Sequence, residues 1–288
     1  MKPGRQNRQA IKTKNTASND VKDTALEWVL EAGAILLRHF GRVRNVRQKE
    51  NPTSVVCEAD LASERHIVRR IRARFPEDSI IAEESGYRCG LSDLTWVIDP
   101  LDGTSNFVAG IPWFGVQLGV LRNAAPIFAA MYLPVENVLY HAEAGGGAYK
   151  NGKRVSVTSE TRLRNVLCAF GFDARAKQER RRAQAELLMR VAGGVRNTRA
   201  TNSLLDFCLT VDGRFGACIN LNCRIWDIVP ISLLLPEAGG KFTDLAGNSI
   251  RFQLGQRAGR RVYEVLGAGQ TLHSKVLALT RCCSKGDS

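Results

Sequence analysis

The sequence predicts a layered α/β fold in which strands and helices alternate along most of the chain. Two observations carry this. Short apolar, β-prone runs recur between turn residues, and longer stretches carry apolar residues at helical spacing. No internal repeat or low-complexity linker interrupts the pattern. Residues 1–19 read as a flexible basic tail. Asp20 or Asp23 then caps a helix through DTALEWVLEAGAILLRHF that stops at Gly41. After a basic, irregular stretch, Asp60 precedes a second helix, LASERHIVRRIRARF. Its Ile67, Val68, Ile71 and Phe75 share one face, and Pro76 lies just beyond. SIIAEE, LTWVID, FGVQLGVL, PIFAAMYL and VLYHAEA read as strands, and Asn151-Gly152 marks a two-residue hairpin. Beyond residue 160 come strand VLCAFGF, helices near 176–192 and 203–211, and strand FGACINL. A helix through DIVPISLLLPEAGG, a hairpin in KFTDLAGNSI, strand VYEVLGA and a helix near 271–281 complete the series. A soft boundary near 155–160 divides residues 20–157, which carry most of the candidate ligands, from 158–281. Residues 282–288 read as a second tail.

Composition narrows the class. The chain has 288 residues, 44% hydrophobic and 24% charged, an ordinary globular balance. No apolar run approaches the roughly 18 residues of a membrane span. The basic N-terminus lacks the apolar core of a secretory signal, so the expected location is the cytoplasm. Eight cysteines show no CxxC pair or metal-finger spacing and read as small buried hydrophobes. Net charge is +13. Setting aside residues 1–19 leaves 36 basic against 28 acidic residues, so the excess runs through the body of the chain. Such a surface attracts anionic substrates, binds nucleic acid without sequence preference, or is simply solvated.

The carboxylates raise a sharper question. VIDPLDGTSNF places Asp99 and Asp102 three residues apart at the end of an apolar strand. Either water offsets their repulsion in an ordinary turn, or a cation does. Glu83 and Glu84 end another strand, Asp227 lies at a helix start in RIWDIVP, and Asp60 precedes the second helix. Read blandly, Asp60 and Asp227 are helix caps and Glu83-Glu84 is a solvated strand end. Read together, they are hard oxygen ligands for Mg²⁺. Gly103 and Thr104 beside them offer N–H groups to a phosphate, which makes a metal-assisted phosphoryl hydrolase site.

Four motifs carry a family resemblance. WVIDPLDGTSNF resembles the W-x-(I/L)-D-P-(I/L)-D-G-T-x-N-F signature of the inositol monophosphatase family. WDIVPISLLLPEAGG resembles its second signature, AEES its G-E-E-S, and CEADLASE its T-x-A-D segment. All four occur in family order, and the resemblance spans about residues 20–280. It implies an αβαβα five-layered sandwich and Mg²⁺-dependent hydrolysis of a phosphomonoester, with two or three ions. Glu83, Asp99, Asp102, Asp227 and the Leu101 carbonyl are then metal ligands. Asp60, Thr104 and Glu83 act on the attacking water. Gly103 and Thr104 hold phosphate, while Asp102, Ser203, Asn220 and Asp227 face the substrate. A homodimer and Li⁺ inhibition are further implications.

The chain also departs from the family. Asn220 stands where many members carry an acidic residue, and Thr201-Asn202-Ser203-Leu204 lacks the usual glycine. Ser54 replaces an aspartate near a third metal, and Cys57 a threonine. The resemblance therefore implies phosphatase chemistry with an altered substrate-reading shell. Inositol monophosphate is the first expected substrate. Histidinol phosphate, fructose 1,6-bisphosphate and 3′-phosphoadenosine compounds are alternatives. A reading from another class is an RNA- or protein-binding regulator on a phosphatase scaffold, motivated by the tail, the charge and the Arg180-Arg181-Arg182 run.

Overall fold

The computed structural model describes the backbone of residues 6–42, 47–48, 55–56, 58–172 and 176–281, and the side chains of 20–42, 58–172 and 176–281. Ser54, Cys57 and residues 282–288 lie outside the described residues. The chain opens with helix α1 (Gln6–His39), a ribbon of β1 (Arg47–Gln48) and β2 (Val55–Val56), and helix α2 (Glu58–Arg74). Strands β3 (Ser79–Ala82), β4 (Gly86–Arg88) and β5 (Leu94–Asp102) follow, then the short helix α3 (Thr104–Val108). Next come β6 (Gly115–Arg122), β7 (Ala125–Leu133), β8 (Val138–Glu143), β9 (Gly147–Lys150) and β10 (Lys153–Arg154). The rest runs β11 (Leu167–Gly171), α4 (Gln178–Gly194), β12 (Asn197–Arg199), α5 (Leu204–Val211) and β13 (Ala217–Cys223). It ends with α6 (Ile225–Glu237), β14 (Gly240–Asp244), β15 (Tyr263–Gly269) and α7 (Gln270–Arg281).

Two sheets result, an eight-stranded one in order β10-β9-β8-β7-β6-β5-β3-β4 and a five-stranded one in order β12-β11-β13-β15-β14. Alternation along each strand sorts side chains between faces. Trp96, Ile98, Leu118 and Ala130 of the large sheet pack with Trp28, Val29, Ile67 and Ile71 of α1 and α2. The opposite face, with Val97, Ala129 and Met131, meets Phe207 of α5 and Ile228, Val229 and Leu234 of α6. That same core includes Cys218 and Val265 of the small sheet. The outer face of the small sheet, with Phe170, Ile219 and Leu266, meets Leu187 and Val191 of α4 and Val276 of α7. The five layers are therefore α1/α2, large sheet, α5/α6, small sheet and α4/α7. The family resemblance implied this sandwich, and the structure bears it out.

Several local expectations change. The first helix starts at Gln6 rather than near Asp20. Residues 6–19 are polar and basic but contain no glycine or proline, so nothing in them breaks a helix. Asp20 is not a cap but an ion-pair partner of Arg74 at 2.9 Å. KFTDLAGNSI is not a hairpin: β14 ends at Asp244, whose Oδ1 accepts the N–H groups of Ala246 and Asn248 at 2.9 and 2.7 Å. The strand pairs instead with β15. The Asn151-Gly152 turn does join β9 to β10, both residues having positive φ, 47° and 74°. Four of the described thiols, Cys168, Cys208, Cys218 and Cys223, are buried as expected, whereas Cys89 is exposed.

Candidate active site

Strand direction builds the site. β3 and β5 run parallel, with Ala82 beside Ile98, so their C-terminal ends emerge together. Glu83, just past β3, keeps its N–H on the Ile98 carbonyl at 3.3 Å, next to Asp99. The chain does not leave the strand at Asp99. β5 continues to Asp102 through an irregularity between the two aspartates. Pro100 has no N–H to give to the ladder, which explains that break in register. Its carbonyl instead accepts the Ser63 hydroxyl of α2 at 2.9 Å. Asp227 arrives from the opposite side, in the first turn of α6. One carboxylate oxygen from each of Asp99, Asp102 and Asp227 lies within 4.8 Å of the others.

Each carboxylate is held by the backbone. Asp99 Oδ1 accepts the Leu101 N–H at 3.1 Å. Asp102 Oδ1 accepts the Leu204 N–H at 2.6 Å, and its Oδ2 accepts the Gln117 amide at 2.7 Å. Asp227 Oδ2 accepts the N–H of Arg224 at 2.6 Å, so it closes the first turn of its own helix while facing the cluster. Asp60 is fully buried inside the first turn of α2, which begins at Glu58. The helix-cap reading of Asp60 therefore fails. Burial drives the Asp99 carboxyl well above its usual range, and the charges of Glu83, Asp102, Asp227 and Asp60 add to it. Asp102 is raised by burial and Asp227, against the opposing Leu204 bond. Burial pushes Asp227 up to about 7. Carboxyls this crowded are a set of hard oxygen donors in want of a cation.

Around the cluster, Gly103 takes φ 85° and caps α3, and a Cβ there would stand 2.6 Å from the Trp113 carbonyl and 3.1 Å from Ser203 Cβ. Glycine is therefore needed for both conformation and space. Thr104 donates its hydroxyl to the Leu101 carbonyl at 3.0 Å. Ser203 lies against Gly103 and caps α5 by accepting the Leu205 N–H. Asn220 projects from β13, its Oδ1 accepting the Asn222 N–H at 3.1 Å. A Cβ on Gly171 would reach its amide at 2.8 Å, so that glycine leaves Asn220 its room.

A model of the inositol monophosphatase family matches residues 18–285. The chain belongs to the inositol monophosphatase family. Among its relatives is the fructose-1,6-bisphosphatase/inositol-1-monophosphatase of Aquifex aeolicus, 30% identical over 88% of this chain and 92% of that one. The Nus factor SuhB of Xylella fastidiosa is 32% identical over 75% of this chain and 78% of its own. The crystal structure of extragenic suppressor protein suhB from Bartonella henselae superposes with a TM-score of 0.83 at 26% identity, covering 91% of this chain and 98% of that one. Membership makes this chain an inositol monophosphatase-family phosphatase, and the acidic cluster fits the Mg²⁺ dependence of that family. No helix among the described residues is long and apolar enough to cross a membrane.

Three polar residues that brace this region escaped the sequence reading. Gln117, fully buried, is the single polar residue in the run GVQLGVL, and only strand register places it against Asp102. Asp206 is raised to about 6 by burial and accepts the Thr201 N–H, shaping the loop before Ser203. Glu64 lies one helical turn beyond Asp60, a spacing that signals a shared face.

Proposed function

We propose that this phosphatase hydrolyses a phosphomonoester with Mg²⁺, inositol monophosphate or a similar polyol phosphate being the first candidate. The convergence of Asp99, Asp102 and Asp227 supports this most directly. The donor set suits the ion: carboxylate oxygens, crowded and mutually repelling without it. Glu83, Asp99, Asp102 and Asp227 would hold it. The Leu101 carbonyl keeps a lone pair for it beside the Thr104 bond. Mg²⁺ bound there offsets the charge of the phosphate dianion and lowers the pKa of the attacking water. Thr104, its own proton committed to Leu101, presents lone pairs that orient that water, with Glu83 as a second acceptor and Asp60 as proton acceptor. The N–H groups of Gly103 and Thr104 hold phosphate oxygens. In this reading Ser203 and Asn220 would meet the alcohol, together with the outer edges of Asp102 and Asp227.

Asn220 in place of an acid keeps histidinol phosphate, fructose 1,6-bisphosphate and 3′-phosphoadenosine compounds in contention, and a relative bears a dual bisphosphatase name. The test is phosphate release from inositol 1-phosphate and these three, with Mg²⁺ and with EDTA. Release that needs Mg²⁺ sustains the reading and ranks the substrates. Equal release in EDTA overturns the metal role. Family likeness also supports a homodimer, which sizing by light scattering tests.

A second reading has its own observation. On α2, Arg70 pairs with Glu31 and Glu27, and Arg74 with Asp20. Arg65, Arg69 and Arg72 are exposed, without a carboxylate partner among the described residues, and line a groove of about 280 Å³ with Val68. Arg180, by contrast, is tied to Glu264 and the Leu221 carbonyl. The three α2 arginines suit a nucleic-acid backbone, a reading in keeping with a relative named as a Nus factor. RNA binding that weakens with salt and survives Asp99→Asn supports it. Binding unaffected by Arg65→Glu with Arg69→Glu sinks it.

A further inference from the structure

We infer that Glu64 is a positioning residue for Glu83, fastening the turn behind that ligand to the helix that carries Asp60. The inference rests on the phosphatase reading above. Glu64 is 3% exposed, yet among the described residues its carboxylate pairs with no basic side chain. Its Oε2 accepts the Glu84 N–H at 2.8 Å and its Oε1 the Ser85 N–H at 2.7 Å. The chain reverses here, from the end of β3 at Ala82 to the start of β4 at Gly86. Two successive turn amides thus find one acceptor group, and Glu83 is pinned from both sides. Its own N–H is on the β5 carbonyl of Ile98, and the next two are on Glu64.

The neighbouring residue does the same for the other strand. Ser63 donates to the Pro100 carbonyl, inside the irregular stretch that separates Asp99 from Asp102. Consecutive residues of one helix therefore grip the ends of both parallel strands. Asp60 lies a turn earlier on the same face, its charge acting on Asp99. α2 works as a rigid bracket that fixes the separation between Asp60 and Glu83. Satisfying two amides needs only a neutral acceptor, and burying a carboxylate costs more than burying an amide or hydroxyl. A negative acceptor beside Glu83 adds to the field that draws a cation, and charge-assisted bonds hold the turn more stiffly than neutral ones.

The test is Mg²⁺ binding by calorimetry on the whole protein, wild type against Glu64→Gln, with Mg²⁺-dependent turnover alongside. The glutamine keeps the shape but sets an NH₂ against one of the two N–H groups. Partners that orient metal ligands commonly contribute ten- to a hundredfold in affinity, so Glu64→Gln is expected to weaken Mg²⁺ binding by about that factor. The Mg²⁺ concentration for half-maximal turnover rises with it, and excess Mg²⁺ recovers much of the rate, which a merely loosened fold would not show. A folded Glu64→Gln with wild-type Mg²⁺ affinity overturns the inference and leaves the phosphatase reading standing. A wild type that binds no Mg²⁺ overturns both. Should Glu64→Gln not fold, amide exchange in the wild type decides. Slow exchange at Glu84 and Ser85 sustains the clamp, and exchange at open-loop rates refutes it.

Discussion

Asp102 Oδ1 accepts the backbone N–H of Leu204 at 2.6 Å, across 102 residues of sequence. This bond ties the end of β5 to the first residue of α5, and with Gln117 on Oδ2 it fixes the carboxylate before any ligand arrives. A site whose ligands are already locked loses little freedom on binding.

Asp99→Asn removes one donor and one repelling charge. Turnover is expected to fall by more than about a hundredfold, beyond the usual cost of losing an outer partner. In EDTA the same variant should melt higher than wild type, by about 2–4 °C for each kcal/mol of repulsion relieved in a chain of this size. Added Mg²⁺ should stabilise it less than wild type. Calorimetry with EDTA and with Mg²⁺ measures both effects. Near-normal turnover would contradict the ligand role.

The cluster also sets a pH dependence. Burial and mutual charge hold Asp99 and Asp102 above the usual carboxyl range and push Asp227 up to about 7, against 3.8 for a free aspartate. The folded metal-free protein thus keeps protons that the unfolded chain has released. For Asp227 the stability this provides is present below about pH 4 and is lost as pH rises through about 7. The melting temperature of wild type in EDTA, relative to Asp227→Asn, should fall across that window. Mg²⁺ must displace the same protons, so the stabilisation it gives should grow with pH. A relative stability that climbs with pH in EDTA would be the opposite result.

Gly103→Ala forces a side chain into left-handed backbone and against the Trp113 carbonyl. Strain of this kind costs about 1–3 kcal/mol, expected as a lower urea midpoint with an unchanged slope. The displaced turn should raise KM for the phosphate ester as well.

Asn220→Glu introduces a charge at the β13 position proposed above to read the alcohol. The ranking of substrates in the phosphate-release panel should change, while the Mg²⁺ concentration for half-maximal rate moves little. An unchanged ranking would show that Asn220 does not read the alcohol.

Asp99 and Asp102 were visible in the sequence because both fall within one short turn-like string, and Asp227 because a tryptophan and an apolar helix flank it. Pro100 disguised the end of β5: proline beside aspartate reads as a turn, yet the strand runs on around the missing N–H. Gln117 and Glu64 were hidden because their partners are set by strand register and helix docking, not by neighbours in sequence. β12, three polar residues long, carries no alternation to detect. The extension of α1 to Gln6 was missed because basic charge was taken for disorder, although helix propensity there is ordinary.

The central layer has a consequence for how the protein is made. Residue 227 is synthesised 125 residues after residue 102. At ~5–20 residues per second, a ribosome needs roughly 6–25 s to cover that interval. Throughout it, the inner face of the large sheet, with Val97, Ala129, Met131 and Tyr140, has no α6 to cover it. The nascent chain then presents a sticky apolar face beside an incomplete acidic cluster, the state in which a chaperone has most to protect.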